Sequence, residues 1–173
     1  MHEGGGAPQA ALGPKGLLHR ATEVWALLGG LLLLAIALMT SYSAGAGWLV
    51  GKPLPGDVEL VEMLTAVSVF MFLPYCQISG ANVTADLFTA GASKRTVAAL
   101  ELLGAVVALA FSVLLLWRMY LGLLDYRQYV ETTTILKIPI WYAYLPALAS
   151  LALLAAAAVA SVGSALRRAR HPG

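Results

Sequence analysis

The stretch that decides the fold runs from Asp57 to Arg95: DVELVEMLTAVSVFMFLPYCQISGANVTADLFTAGASKR. Its first part, Val58 to Leu73, is apolar and long enough to enter a bilayer, and Asp57, Glu59 and Glu62 are confined to its first turns, where the helix dipole favours negative charge. At 1.5 Å per residue, Pro74 falls roughly 24 Å along this helix, near the far interface, where a kink is tolerated. Within ANVTADLFTAG, Val83, Leu87, Phe88 and Ala90 share one helical face, while Asn82, Thr84, Asp86 and Thr89 take the rest. That pattern predicts a short arm helix over 82–90 lying in the interface plane, with an ordinary loop as the alternative. Lys94 and Arg95 then launch another apolar run. Two apolar helices joined by a segment too polar to cross and too apolar to float imply an all-α integral membrane protein.

Composition agrees. Of 173 residues, 60% are hydrophobic and 12% charged, and the mean hydropathy is +0.79, far from the balance of a soluble domain. The apolar runs and their connections use nearly the whole chain, which leaves no room for a sizeable soluble domain. A net charge of +2, with basic residues at helix ends instead of in a patch, gives no footprint for nucleic acid. Single Cys76 cannot form an internal disulfide and is read as a buried, inert thiol.

Working outward, 1–21 reads as a flexible tail, followed by a span over 22–43 with Trp25 at one end and Tyr42 and Trp48 near the other. A signal peptide is the alternative, because Ala44-Gly45-Ala46 has the small-x-small form that signal peptidase accepts. Gly45 to Gly56, with Pro53 and Pro55, connects to the second span at 58–78. The third, at 97–124, would be roughly 42 Å long, more than the roughly 30 Å hydrocarbon core requires, so it must tilt or protrude. Arg118, between Trp117 and Tyr120, falls where snorkelling to the headgroups explains it. A polar loop from Asp125 to Lys137 and Pro139 lead into the fourth span at 140–166, anchored by Trp141, Tyr142 and Tyr144. Ala152, Ala156, Ala160 and Ser164 recur every four residues there, a smooth strip that lets another helix approach, either within the chain or from another subunit. A basic tail, 167–173, ends the sequence.

Lys15, Arg20, Lys94, Arg95, Arg167, Arg168 and Arg170 all fall on one side of these four spans, whereas Lys52, Arg127 and Lys137 are scattered on the other. The positive-inside rule therefore predicts cytoplasmic termini. An enzyme needs a constellation of groups, and none can be assembled: there is no phosphate loop, no metal-spaced His or Cys set and no nucleophile beside a base. His2, His19 and His171 lie in the tails, so no cofactor or metal site is expected. Glu62 is the acid of interest. It sits just inside the second span, either as an interfacial first-turn acid or as the partner of a cation on another helix.

The order of features resembles the DctQ-like small membrane subunit of tripartite ATP-independent periplasmic (TRAP) transporters. The likeness covers roughly Trp25 to Arg168 and is carried by Glu59 or Glu62 in the second span, Gly80 to Val83 and Asp86 in the arm, the basic turn, and TTTILKIPIWYAYLP before the fourth span. Where such subunits usually carry a basic residue or histidine before the arm valine, this chain has Asn82, so no lipid-phosphate contact is assigned there. The resemblance implies a three-part importer of organic anions such as carboxylates in the bacterial inner membrane. A periplasmic solute-binding protein captures the solute and a large multi-span subunit moves it, driven by a sodium gradient. The small subunit braces that large subunit among the membrane lipids and offers some surface to the binding protein. On this expectation Glu62, Gly80, Asn82, Val83, Asp86, Leu87, Phe88, Ala152, Ala156, Ala160 and Ser164 make subunit contacts, and Lys52, Arg127 and Lys137 dock the binding protein. The rivals are a stand-alone four-helix homo-oligomeric channel or efflux protein, which would use Glu62 and Glu101, and a membrane-embedded enzyme recruiting Arg118.

Overall fold

The computed structural model describes residues 14–79 and 94–170, with side chains over 16–79, 99–100 and 102–166. Within them lie four helices: α1 (Pro14–Val50), α2 (Asp57–Ser79), α3 (Lys94–Tyr129) and α4 (Trp141–Arg170). All four are long and apolar enough to cross a membrane, as the sequence predicts. Among the described residues the sole extended pairing is an isolated bridge between Thr132 and Pro139. With 37 residues, α1 extends about 55 Å, whereas the 23 of α2 extend about 35 Å, so α1 must tilt or project where α2 nearly matches a bilayer. The expected arm at 82–90, with Gly80, Asn82, Val83, Asp86, Leu87 and Phe88, lies outside the described residues, as do 1–13 and 171–173.

Two expectations are corrected in α1. The segment read as flexible tail is helical from Pro14. Proline suits a first helical position because its φ is preset and it has no N–H to lose there. The ring of His19, read as part of the tail, meets Tyr75 of α2 edge-on at 5.9 Å. At its other end α1 does not stop near Ser43 but runs through Ala44-Gly45-Ala46 to Val50. The stop is Gly51, whose φ of +68° and N–H donated to the Gly47 carbonyl at 3.1 Å form a left-handed cap, with Pro53 just beyond. Similarly, α3 continues past Leu124 to Tyr129, and α2 continues through Pro74, which is fully buried.

Neighbouring helices pack where small residues or hydroxyls let them approach. Near the end of α1, Ser43 donates to the Asp57 carboxylate and accepts the Leu54 N–H at 3.1 Å, which fixes the α1–α2 turn. Further along, a Cβ at Gly29 would lie 2.9 Å from Met71 Cβ, so this glycine permits the close crossing of α1 and α2. Val67, Ser68, Met71 and Pro74 are the buried positions of α2, and Ala147, Ser150, Leu151, Ala157, Ala158 and Ala165 those of α4. On the other flank of α4, a Cβ at Gly122 of α3 would sit 3.1 Å from Tyr144 Cε1, and Tyr126 stacks on Tyr144 at 5.2 Å. Contact between α1 and α4 is slight, and includes the Trp25 indole N–H donated to Ser150 Oγ at 2.8 Å. Among the described residues α3 does not return to pack on α1. The helices therefore form an open row in the order α1, α2, α4, α3, and not a closed bundle.

Candidate functional site

Because successive helices alternate in direction, the α1–α2 and α3–α4 connections share one end of the row. The α3–α4 connection is a built loop. Thr133 donates its N–H to the Ile138 carbonyl at 2.9 Å, Ile140 donates to the Glu131 carbonyl at 3.1 Å, and Thr133 Oγ1 accepts the Ile138 N–H at 3.1 Å. Val130 and Lys137 bound it with φ of 45° and 56°, left-handed conformations that non-glycine residues hold only when their surroundings fix them. Glu59 of α2 reaches into this loop. One carboxylate oxygen accepts the Ile135 N–H at 2.7 Å and the other the Leu136 N–H at 3.0 Å. Charge-assisted bonds of this kind are the stronger class. Beside them Gly56, with φ of +79°, lies against Leu136, where an added Cβ would be 2.5 Å from Cγ. One carboxylate and one glycine thus clasp the two connections into a single rigid cap.

Under the cap a cleft of about 450 Å3 opens between α2 and α3, floored by α4. Its walls are Met63, Ala66, Val67 and Phe70 of α2, Met119 of α3, and Ala143, Tyr144 and Ala147 of α4. Thr132, Thr133 and Thr134 close the capped end, and Glu59 and Glu62 line it there. The cleft exists because α2 and α3 both pack on α4 and scarcely on each other.

The structure separates the residues that sequence reasoning grouped as one interface. Glu62 is exposed and lines the cleft. Ala152 and Ala156 are exposed, and Ala160 and Ser164 half-buried, so this strip is not the face on which α4 packs within the chain. At about 100° per residue, the strip points roughly opposite to Ala143, Tyr144 and Ala147, which floor the cleft. Glu62 and the strip accordingly belong to opposite faces of the row. Lys52 and Lys137 are exposed on the two clasped connections, while the guanidinium of Arg127, also exposed, lies 5.7 Å from the centroid of the Trp141 ring. Arg118 is exposed on α3, between Trp117 and Tyr120, and Cys76, read as buried, is exposed. The clasp by Glu59 was missed from sequence, since nothing local ties a first-turn acid to backbone amides far along the chain.

Three of the buried serine hydroxyls donate within their own helices, whereas Ser43 donates across to Asp57. Ser68 donates to the Leu64 carbonyl at 2.8 Å, Ser112 to Leu109 at 2.9 Å and Ser150 to Pro146 at 2.7 Å, each within its own helix. No group of His, Cys, Asp and Glu able to hold a metal ion gathers among the described residues.

An open row of four apolar helices, each long enough to cross a membrane, defines a helical membrane protein. Residues 36–168 match the family of tripartite ATP-independent periplasmic transporters, DctQ component. The chain belongs to that family, and with it to the small permease components of TRAP transporters. No curated protein matches the chain. No solved structure matches it either.

Proposed function

We propose that this chain is the small permease subunit of a sodium-gradient-driven TRAP importer of organic anions such as carboxylates, held in the bacterial inner membrane with both termini cytoplasmic. It braces the scaffold of the large multi-span subunit and presents its capped end, with Lys52 and Lys137, to the periplasmic solute-binding protein. The observation that carries this reading is the open row: four apolar helices side by side widen a partner's footprint in the bilayer but surround no path of their own. Large side chains along its flanks, such as Leu31, Leu34, Leu38, Phe111 and Leu114, are exposed and have lipid or a partner as their natural surroundings. The rival channel or efflux protein would need polar groups facing a pathway, and Ser68, Ser112 and Ser150 are already bonded within their own helices, while Ser43 is bonded to Asp57.

The test is purification of a tagged chain from native membranes in gentle detergent, followed by uptake in vesicles holding the recovered complex and the binding protein. Stoichiometric recovery of a much larger multi-span subunit, with uptake that requires sodium, is expected. Recovery of the chain alone as a homo-oligomer would refute the brace and favour the channel.

A further inference from the structure

We infer that the cleft between α2 and α3 is the seat of a transmembrane helix of the large subunit, which places a Lys or Arg side chain against Glu62. This rests on the small-subunit reading above and adds which face of the row is covered and by what chemistry. Glu62 lies five positions into α2, roughly 7–8 Å along its axis, beside apolar walls. A carboxylate at this depth, with apolar side chains beside it, is better met by a cation than by lipid tails. Among the described residues no salt bridge reaches it, and Arg127, in the last turn of α3, lies over Trp141. Glu59, one turn away, is committed to the loop amides, which leaves Glu62 as the group that faces outward.

Size and charge narrow the occupant. One turn of helix with its side chains fills on the order of 400–600 Å3, so a cleft of about 450 Å3 takes the basic side chain and its apolar neighbours one turn on, with the rest of the helix lying along α2 and α3. A zwitterionic lipid headgroup fits less well. Its amine carries a phosphate with it, and two carboxylates at the capped end repel that phosphate. The Ala152–Ser164 strip, on the opposite face, is then left to lipid.

The experiment uses the full complex in native membranes. A photoreactive benzoylphenylalanine replaces Phe70 in the cleft, or Ala156 on the opposite face, and Glu62→Gln and Glu62→Lys are made separately, with the membrane content of each variant measured first. The Phe70 probe is expected to cross-link to the large subunit while the Ala156 probe does not. Glu62→Gln should lower recovery of the large subunit about three- to tenfold, and Glu62→Lys further. Adducts from Phe70 to lipid or to a second copy of this chain, or undiminished recovery with Glu62→Lys, would overturn the assignment while leaving the brace intact. Should the unaltered chain recover no large subunit, both would fall together.

Discussion

Gly56 offers the sharpest test of the cap. Replacing it with alanine has two separable effects. The first is conformational: φ is +79°, where an L-residue costs roughly 1–2 kcal/mol. The second is steric, because the new methyl would lie 2.5 Å from Leu136 Cγ and 2.9 Å from Cδ1, and forcing a methyl into a packed site costs typically about 1–3 kcal/mol. Gly51 supplies the control. Its φ of +68° is similar, but nothing lies within 4 Å of its Cβ position, so Gly51→Ala incurs only the first cost. Thermal unfolding in detergent, followed by tryptophan fluorescence, should show Gly51→Ala lowered by a few degrees and Gly56→Ala by on the order of 5–15 °C, taking about 2–4 °C per kcal/mol. Truncating the obstacle separates the two costs: in a Leu136→Ala background, Gly56→Ala should fall to the cost of Gly51→Ala. Equal losses at the two glycines, or no relief from Leu136→Ala, would refute the close approach of the two connections.

Other expectations follow from neighbouring contacts. Glu59→Gln keeps one acceptor oxygen of the two, so hydrogen exchange at the Ile135 and Leu136 amides should quicken while exchange within α2 stays unchanged. Gly29→Ala places a Cβ 2.9 Å from Met71 Cβ and should destabilise the α1–α2 pair by about 1–3 kcal/mol, whereas Gly104→Ala, in open space on α3, should be neutral or stabilising by up to about 1 kcal/mol; thermal unfolding reads both. With Cys76 replaced by serine, Lys137→Cys should react with a membrane-impermeant maleimide added outside intact cells, and labelling only after the cells are opened would reverse the proposed orientation.

The spans were legible because a bilayer leaves a chain little freedom: any crossing segment must be a long apolar helix, and composition alone reveals it. The ends of α1 were not. Gly45 and Gly47 looked like the start of a connection, yet both are helical, and the break waits for Gly51, where a left-handed cap and Pro53 coincide. Pro14 was hidden because the apolar pattern sets in well after the helix starts. Glu62 could be picked out as an acid inside an apolar run, but the cleft beside it could not, because its walls come from three helices and a loop. On α4, the four-residue repeat of small side chains is plain in the sequence, but the face that packs inside the chain is set by Ala147, Leu151, Ala158 and Ala165. An alanine-rich helix offers several smooth faces, and only its neighbours decide which one is buried.

That ambiguity bears on function. Had α3 closed back onto α1, both flanks of α4 would have been consumed within the chain and its remaining face would have looked outward alone. In the open row, α2 and α3 grip one side of α4 and leave between them a cleft with a carboxylate, while the other side of α4 is smooth and uncharged. A flat array with two unlike faces can be oriented by a partner: a cation matched to Glu62 selects the cleft face, and the alanine strip has nothing to offer that cation. The rigid cap strengthens this selection, because Glu59 and Gly56 hold the loop that closes the cleft, so a partner helix meets a preformed end stop instead of ordering one as it binds. On the proposed reading, directional attachment to a larger membrane protein needs no specific contact along the rest of the row, which is free to be as featureless as its sequence.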